Sequence, residues 1–298
     1  MIDGLFLLQD SPSIAAANTI KAGLIGSGIQ GSRSPALHLH EAAAHGLQFS
    51  YELIDLETLN AGPDRLPRLL DDAEKKGFAG LNITYPCKQI VIPYLHELSA
   101  QAAHVGAVNT VLFKDGRRIG HNTDWSGFAE AFRRGLPRAK LDTVVQLGAG
   151  GAGAATAYAA LMLGVRRLSV FDQQSERANQ VVSRLSKGIA NERISAGTNL
   201  AEALRNADGL IHATPTGMAG HPGLPFPPQL LTPKLWICEV VYVPLETELL
   251  RVARRIGCHT LNGGGMAVLQ AAEAFRLFTG MMPDTERMLD HFASLNKS

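Results

Sequence analysis

Apolar runs of strand length alternate with amphipathic helical patterns along the first half of the chain. The apolar runs predict strands over residues 20–26, 51–56 and 79–84. The helical patterns predict helices over residues 34–46 and 63–77, and Pro86 can open a further helix. Residues 107–123 predict a hairpin, because an Asp-Gly turn signal lies at their centre. This alternation is typical of an α/β unit with a mainly parallel sheet.

The second half repeats the alternation with sharper boundaries. Its predicted strands cover residues 143–147, 167–172, 209–214 and 236–242. Its predicted helices cover residues 154–164, 175–188, 266–280 and 284–295. The clearest break lies at residues 133–142, which are basic, contain a proline and follow neither pattern. Because 298 residues suffice for two ordinary domains, we expect an N-terminal α/β domain of residues 1–135 and a second domain of residues 136–265.

Composition narrows the class of protein and of partner. Apolar residues make up 46% of the chain, and the formal net charge is only +1 without a dense basic block, so nothing supports nucleic-acid binding.

The three cysteines, Cys87, Cys238 and Cys258, have no metal-site spacing and form a poor disulfide framework. The histidines show no zinc motif either, so we expect no metal. The N-terminus carries Asp3 and lacks the apolar run of a secretory signal, which favours the cytoplasm.

Residues 144–164 contain no charged side chain and are long enough to span a bilayer. Four glycines interrupt this run, however: Gly148, Gly150, Gly151 and Gly153. Glycines crowded in this way break a helix, so a buried strand, a tight turn and an apolar helix are the better interpretation. We therefore expect no membrane span.

The same glycines match a dinucleotide-binding fingerprint. Gly148, Gly150 and Gly153 fit G-x-G-x-x-G after a predicted strand and before a predicted helix, and Asp172 ends the next strand. Gly148 permits the tight turn, Gly150 lets a pyrophosphate approach the backbone, and Gly153 allows helix and strand to pack closely. The helix N-terminus offers free N–H groups to the phosphates. The alternative is a simple strand–helix turn with Asp172 as a surface cap.

Asp172 indicates which dinucleotide binds. Its carboxylate can accept hydrogen bonds from both ribose hydroxyls of NAD and would repel the 2′-phosphate of NADP. The nearest arginine, Arg177, is the one cofactor-site candidate that could serve such a phosphate. The sequence therefore favours NAD, bound by a C-terminal Rossmann domain.

Polar residues also cluster where strands of the first half end, and ligands bind at such ends in open α/β sheets. The candidates are Ser32, Ser34, Asn82, Thr84, Lys88, Asn109 and Asp124. Oxidation of an alcohol needs a base beside the nicotinamide, and a lysine paired with an aspartate can supply one. Lys88 and Asp124 are the natural pair if the fold brings them together. Otherwise Lys88 is a solvated lysine and Asp124 a helix N-cap, and Cys87 is a packed side chain rather than a nucleophile.

Eight motifs in order resemble the shikimate dehydrogenase family over roughly residues 20–295. They are SRSPALH, GLNITYPCK, GAVNT, HNTDWSGF, LGAGGAG, ATPTGM, VVYVPLETELL and LNGGGMAVLQAAEAFRLFTG. Within the family, the LFTG ending and the aspartate after VF make the chain most similar to the NAD-dependent quinate/shikimate dehydrogenases. The resemblance implies oxidation of a ring hydroxyl of quinate or shikimate to the 3-dehydro ketone by a monomer or homodimer.

The resemblance also implies a role for each candidate. Lys88 and Asp124 would be the catalytic pair, and Ser32 and Ser34 would bind the substrate carboxylate. Ring hydroxyls would be bound by Asn82, Thr84, Asn109 and Gln270, with Tyr242 nearby. The nicotinamide end would be lined by Thr214, Val241, Gly265 and Met266. Residues 266–298 would return to the first domain, so that Gln270 reaches the substrate.

Three departures from the family pattern leave the substrate open. His212 stands where asparagine is usual, Trp125 follows the catalytic aspartate in place of glycine, and the NGGGM loop has one additional glycine. Two alternatives therefore remain, an aminoshikimate dehydrogenase of the same family and a non-catalytic NAD-binding regulator. Ser34 would influence the room for the additional hydroxyl of quinate.

Overall fold

The computed structural model describes residues 19–295, apart from the side chains of residues 190 and 191. The N-terminal segment, in which the sequence predicts no secretory signal, lies almost entirely outside these residues. The described chain forms two six-stranded sheets with helices packed on them.

The first sheet contains strands β1 to β6 in the order β2-β1-β3-β5-β6-β4. Their bounds are β1 (Ile20–Gly26), β2 (Phe49–Asp55), β3 (Phe78–Ile83), β4 (Glu97–Leu98), β5 (Thr110–Lys114) and β6 (Arg117–His121). β1 pairs in parallel with β2 and β3, whereas β5 is antiparallel to both β3 and β6. The sheet is therefore mixed, because the predicted hairpin is inserted beside β3. Its turn residues Asp115 and Gly116 have φ values of 52° and 70°, as a two-residue type I′ turn requires.

Five helices accompany this sheet. They are α1 (Ser34–Ala44), α2 (Leu66–Lys75), α3 (Cys87–Ile90), α4 (Ala100–Val105) and α5 (Asp124–Gly135). α3 follows β3 directly and α5 follows β6, so both helices begin at strand ends. Cys87 at the start of α3 is completely buried, and this burial raises the pKa of its thiol to about 11, as expected for a packed side chain.

The second sheet is entirely parallel, with the order β12-β11-β10-β7-β8-β9. Its strands are β7 (Thr143–Leu147), β8 (Arg167–Phe171), β9 (Ile194–Ala196), β10 (Gly209–His212), β11 (Trp236–Glu239) and β12 (His259–Leu261). The helices between them are α6 (Gly151–Met162), α7 (Ser175–Leu185), α8 (Leu200–Arg205) and α9 (Glu248–Ile256). This is the strand order of a doubly wound dinucleotide-binding sheet, with its switch point between β7 and β10.

The uncharged run at residues 144–164 is divided between β7, a glycine turn and α6, so the sequence-based interpretation of this run is confirmed. Within residues 19–295, no helix has the length and apolar character that crossing a membrane requires. The last two helices, α10 (Gly264–Thr279) and α11 (Thr285–Leu295), follow the second sheet in sequence. α10 nevertheless packs on α5 and on strands of the first sheet.

His38 lies in the aromatic core between α1 and α10. Its ring is completely buried and stacks on Tyr51 with a centroid distance of 4.8 Å. Neither ring nitrogen has a hydrogen-bond partner among the described residues, and desolvation lowers the pKa of His38 from 6.5 to about 3. The folded protein therefore holds this imidazole neutral under conditions in which the unfolded chain protonates it.

We expect His38 to make the fold sensitive to acid. The unfolded state binds the additional proton, so the free energy of unfolding falls as pH decreases from about 6.5 towards 3. Replacing His38 by Phe should reduce the loss of stability between pH 7 and pH 4 by about 3 kcal/mol, as measured by urea unfolding at both pH values. The exposed His259→Phe variant is the control and should retain the wild-type loss. An unchanged pH dependence in His38→Phe would contradict the prediction.

Candidate active site

Lys88 and Asp124, the predicted catalytic pair, are in direct contact. Lys88 Nζ lies 2.6 Å from Asp124 Oδ2, and the two side chains are only 18% and 7% exposed. Lys88 is carried by α3 at the end of β3, and Asp124 opens α5 at the end of β6. The antiparallel pairing of β5 with both β3 and β6 brings these two strand ends together. The lysine is therefore held beside a carboxylate that can orient it and share its proton.

The other oxygen of this carboxylate is held by Asn109. Asn109 Nδ2 donates to Asp124 Oδ1 over 2.9 Å, and Asn109 Oδ1 accepts from the Thr123 N–H over 2.6 Å. Gln270 Oε1 lies 3.3 Å from the same amide nitrogen. Asp124 therefore has one oxygen fixed by an amide and the other directed at Lys88, which limits rotation of the carboxylate.

A second polar chain lies beside this pair, on the first sheet. The Tyr51 hydroxyl donates to Asn82 Oδ1 over 2.8 Å, and Asn82 Nδ2 donates to Thr110 Oγ1 over 3.0 Å. Ser34 is hydrogen-bonded to Tyr51, and the Ser34 N–H donates to Ser32 Oγ over 3.2 Å. Burial raises the pKa of Tyr51, so its phenol stays neutral and able to donate. Three of the predicted substrate ligands are thus linked through a tyrosine.

Thr84 follows β3 and lies against the first strand. Its N–H donates to the Ile25 carbonyl over 2.9 Å, and a Cβ added at Gly26 would overlap its methyl group. Thr84 is half-buried, and its carbonyl accepts from the Cys87 N–H over 2.8 Å where α3 begins. The backbone of Thr84 therefore fixes the start of the helix that carries Lys88.

Two predicted substrate ligands come from the second half of the chain. Tyr242 follows β11, and burial together with the negative charge of Asp124 raises the pKa of its phenol. Gln270 lies on α10, which approaches α5 closely because Gly127 has no side chain. A Cβ added there would lie 2.6 Å from the Gln270 backbone nitrogen. The return of α10 to the first sheet therefore places Gln270 at Asn109.

The glycine turn after β7 has the geometry that a dinucleotide requires. Gly148 has a φ of 100°, which favours glycine, and a Cβ added at Gly153 would overlap the Gly148 carbonyl oxygen. A Cβ at Gly150 would meet no atom within 4 Å, so that side of the turn is open. A Cβ at Gly151 would lie 3.3 Å from Lys88 Cδ. The residues thus fit a dinucleotide, and the turn that would hold it lies against the lysine.

Asp172 is fixed at the end of β8 by two backbone donors. Its Oδ2 accepts from the Ala149 N–H over 2.8 Å, and its Oδ1 accepts from the Gln174 N–H over 2.9 Å. The carboxylate is half-exposed and adjoins the glycine turn, where a ribose would lie. Arg177 is exposed on the first turn of α7. The chain therefore carries an acidic side chain, Asp172, next to the glycine turn and a basic one, Arg177, on the helix that follows.

The four residues predicted at the nicotinamide end divide into two pairs. Thr214 follows β10 beside the glycine turn, and the buried Val241 follows β11. Gly265 and Met266 lie in the first turn of α10. A Cβ added at Gly265 would lie 3.2 Å from Ala131 Cβ on α5, and the Met266 side chain is buried in the core that α5 and α6 share. Thr214 is therefore at the switch point and Val241 at the end of the neighbouring strand, whereas the second pair packs against α5.

Trp125 packs between the two sheets. Its ring lies edge-on against Tyr158 of α6, with a centroid distance of 5.2 Å and an interplanar angle of 83°. The residue that departs from the family pattern beside Asp124 thus joins α5 to the helix of the dinucleotide site.

Several polar residues of the site were not predicted from the sequence. They are Tyr51, Thr110, Thr123, Gln146 and Glu239, which is paired with His212. Thr110 and Thr123 adjoin predicted residues in the motifs NT and NTD, so their positions carried a usable signal. Gln146 lies inside an apolar strand, and its amide donates to the carbonyls of Gly148 and Gly153 over 2.9 and 2.7 Å. Buried polar residues within strands are not revealed by strand-end patterns.

A parallel sheet with a glycine turn, in which that turn abuts a lysine–aspartate pair, defines a class of protein. It is the arrangement of an oxidoreductase that uses a nicotinamide dinucleotide and a proton-accepting side chain.

Comparison with known proteins gives the family. Residues 24–111 match the model of the shikimate dehydrogenase substrate binding domain, and residues 263–291 match that of the shikimate 5′-dehydrogenase C-terminal domain. A shikimate dehydrogenase (NADP(+)) of Streptomyces avermitilis is 57% identical over 275 residues, which are 92% of this chain and 94% of that protein. The chain belongs to the shikimate dehydrogenase family, as its motifs predicted.

Relatives with the other cofactor in their names are also similar. A quinate/shikimate dehydrogenase (NAD(+)) of Corynebacterium efficiens is 48% identical over 281 residues, covering 93% of this chain and 99% of that protein. The solved structure of quinate dehydrogenase from Corynebacterium glutamicum in complex with NAD is 46% identical, with a TM-score of 0.88 over 93% of this chain and 99% of that one. The predicted two-unit α/β fold is therefore confirmed.

Proposed function

We propose that this protein is an NAD-dependent dehydrogenase that reversibly oxidises the ring hydroxyl of quinate or shikimate to the 3-dehydro ketone. The contact between Lys88 and Asp124, at the glycine turn, carries this proposal. The names of relatives with NAD and with NADP support the reaction and both substrates. A non-catalytic regulator would have no need of a lysine held at 2.6 Å from a buried carboxylate.

Each side chain has a task that follows from its placement. Ser32 and Ser34, at the opening of α1, bind the substrate carboxylate. The ring hydroxyls are bound by Asn82, Thr84, Asn109 and Gln270, with Tyr242 above them. Bound NAD supplies the hydride acceptor. Lys88 takes the proton from the reacting hydroxyl, and Asp124 keeps the lysine in place and shares the positive charge.

Asp172 favours NAD over NADP. Two backbone N–H groups fix its carboxylate beside the glycine turn, and each oxygen keeps a lone pair for a ribose hydroxyl. A 2′-phosphate at the same place would meet this negative charge. The pyrophosphate of the cofactor is bound by the turn that contains Gly148, Gly150, Gly151 and Gly153, and the adenosine ribose by Asp172. The nicotinamide end is bound by Thr214, Val241, Gly265 and Met266.

NADP is the second candidate cofactor. The exposed Arg177 lies on the first turn of α7, and a relative with 57% identity is named for NADP(+). An arginine at this end of the site can pair with a 2′-phosphate.

The division of strands between two sheets supports the unit boundaries. We propose a substrate unit of residues 1–135 joined by residues 266–298, and a dinucleotide unit of residues 136–265. β1 to β6 lie in one sheet, β7 to β12 lie in the other, and α10 packs on the first.

Steady-state oxidation by the purified full chain tests the proposal. Quinate and shikimate are each combined with NAD and with NADP, and nicotinamide absorbance is followed. We expect turnover with NAD and a kcat/KM at least about tenfold lower with NADP, because a like charge at the 2′-phosphate costs at least 1.4 kcal/mol. Higher kcat/KM with NADP would instead support the second candidate. No turnover with either cofactor, while NAD still binds, would refute both substrates.

A further inference from the structure

A buried ionisable pair lies directly beneath the nicotinamide end of the site. His212 ends β10 and Glu239 ends β11, and the two residues face each other in the parallel register. Both side chains are completely buried, and His212 Nδ1 lies 2.9 Å from Glu239 Oε2 and 3.0 Å from Oε1. Burying two such groups costs free energy unless every polar atom has a hydrogen-bond partner. The partners of His212 and Glu239 therefore show which of their atoms donate and which accept.

Glu239 accepts hydrogen bonds from every side that faces it. Besides His212, the Val241 N–H donates to Oε1 over 3.0 Å, and the Thr247 hydroxyl donates to Oε2 over 3.1 Å. An ionised carboxylate can only accept, so His212 Nδ1 carries the proton of this contact. The carboxylate thus fixes both the orientation and the tautomer of the imidazole, as partners of buried histidines do.

The second ring nitrogen is directed at the cofactor site. His212 Nε2 lies 2.5 Å from Thr214 Oγ1, and the Thr216 N–H approaches the same oxygen at 3.3 Å. In the tautomer that carries its proton on Nδ1, the imidazole accepts at Nε2, so the Thr214 hydroxyl donates to it. The oxygen then accepts from Thr216 and keeps one lone pair.

Thr214 is placed where the nicotinamide end of a cofactor would lie. Its backbone nitrogen is 3.1 Å from the position that a Cβ at Gly148 would take, so it adjoins the glycine turn at the switch point of the sheet. Thr214 is half-buried, whereas His212 and Glu239 are enclosed. The free lone pair of Thr214 is therefore the part of this network that a ligand can reach.

We propose that Glu239 and His212 are positioning residues that hold the Thr214 oxygen as a hydrogen-bond acceptor for the carboxamide N–H group of the nicotinamide. The proposal rests on the proposed function, because it requires a nicotinamide dinucleotide at the switch point. Without the pair, the Thr214 hydroxyl could rotate and present its proton instead, and a donor would face a donor. The pair thus sets the polarity of the contact rather than making the contact itself.

An NAD analogue whose carboxamide is replaced by an acetyl group tests this polarity, because it lacks the N–H donor. Calorimetric titration of the full chain gives Kd for NAD and for the analogue. We expect wild type to bind NAD about tenfold more tightly than the analogue, as one neutral hydrogen bond implies. His212→Asn retains a nitrogen for Glu239 but is too short to reach Thr214, so it should reduce this ratio to about twofold. Thr214→Val should do the same, and the double variant should lower the ratio no further.

Two further variants separate positioning from folding. His212→Gln can reach Thr214 with its amide oxygen and should retain more of the wild-type ratio than His212→Asn. Thr232→Val, a matched substitution in the same sheet domain, should leave the ratio unchanged.

If His212→Asn keeps the tenfold ratio, the proposal is wrong, whether or not Thr214→Val loses it. If wild type turns over quinate or shikimate but does not distinguish the two dinucleotides, the positioning role alone fails. Failure to bind any dinucleotide would instead remove the proposed function.

Discussion

Replacing Lys88 by Met is expected to lower kcat by about three orders of magnitude while leaving the Kd for NADH within about twofold of wild type. General acid–base groups contribute roughly 10²- to 10⁴-fold, and methionine fills similar space without a group that accepts a proton. Lys88 is only 18% exposed and lies against the glycine turn, so water would replace it poorly. The measurement is kcat from steady-state oxidation, with NADH binding followed by fluorescence.

The partner and a matched control sharpen this prediction. Asp124→Asn should also lower kcat strongly, since the amide does not balance the lysine charge and its single oxygen cannot accept from both Lys88 and Asn109. Because the two residues act as a unit, the double variant should be no slower than Lys88→Met alone. Lys114→Met, at the exposed end of the hairpin, should retain wild-type kcat. Independent, multiplying losses in the double variant would show that the pair does not act together.

The parts of the site that were predictable from sequence are those formed by consecutive residues. The glycine turn lies between a strand and a helix that adjoin it, and the Asp-Gly hairpin is closed by its own two residues. In both cases the chemistry of the turn and the shape of the backbone are set within a few positions. Patterning was therefore sufficient to place the dinucleotide loop and the hairpin.

Contacts between distant residues needed the fold. Lys88 and Asp124 are 36 residues apart, and they meet only because β5 pairs antiparallel with β3 and β6. Gln270 reaches Asn109 across 161 residues, through the packing of α10 on α5. The strand ends showed where each candidate lies, whereas register and helix packing decided which candidates touch. The family resemblance supplied what the pattern could not.

Most of the elements that patterning does not predict are short. β4, α4, β9, α8 and β12 are each six residues or shorter, so they contain too little of a hydrophobic period to stand out. α9 is longer and has clear end signals, with Thr247 accepting from the Leu250 N–H and Gly257 in the left-handed region. Its end signals lie in the residues between the VVY and NGGG motifs, so this helix could have been predicted from the sequence.

Replacing Asp172 by Asn is expected to shift the ratio of kcat/KM for NAD to that for NADP by about 10²- to 10³-fold towards NADP. Hydrogen bonds from ribose hydroxyls to a charged carboxylate contribute about 1.5–3 kcal/mol, which the neutral amide only partly retains. The same change removes the repulsion of a 2′-phosphate, and like charges in contact cost several kcal/mol. The NAD loss should fall mainly on KM, since Asp172 contacts the backbone of the glycine turn and not the Lys88–Asp124 pair. Initial rates with both cofactors at saturating substrate measure the ratio.

Glu176→Gln is the matched control, because it removes the same charge from the first turn of the neighbouring helix without touching the glycine turn. It should change the ratio by less than about threefold, since exposed charges act weakly at a distance. Arg177→Gln distinguishes the second candidate cofactor. If wild type prefers NADP and Arg177→Gln abolishes that preference, the arginine rather than the aspartate selects the cofactor. If Asp172→Asn and Glu176→Gln shift the ratio equally, selection comes from the general charge of this surface and not from a contact with the ribose.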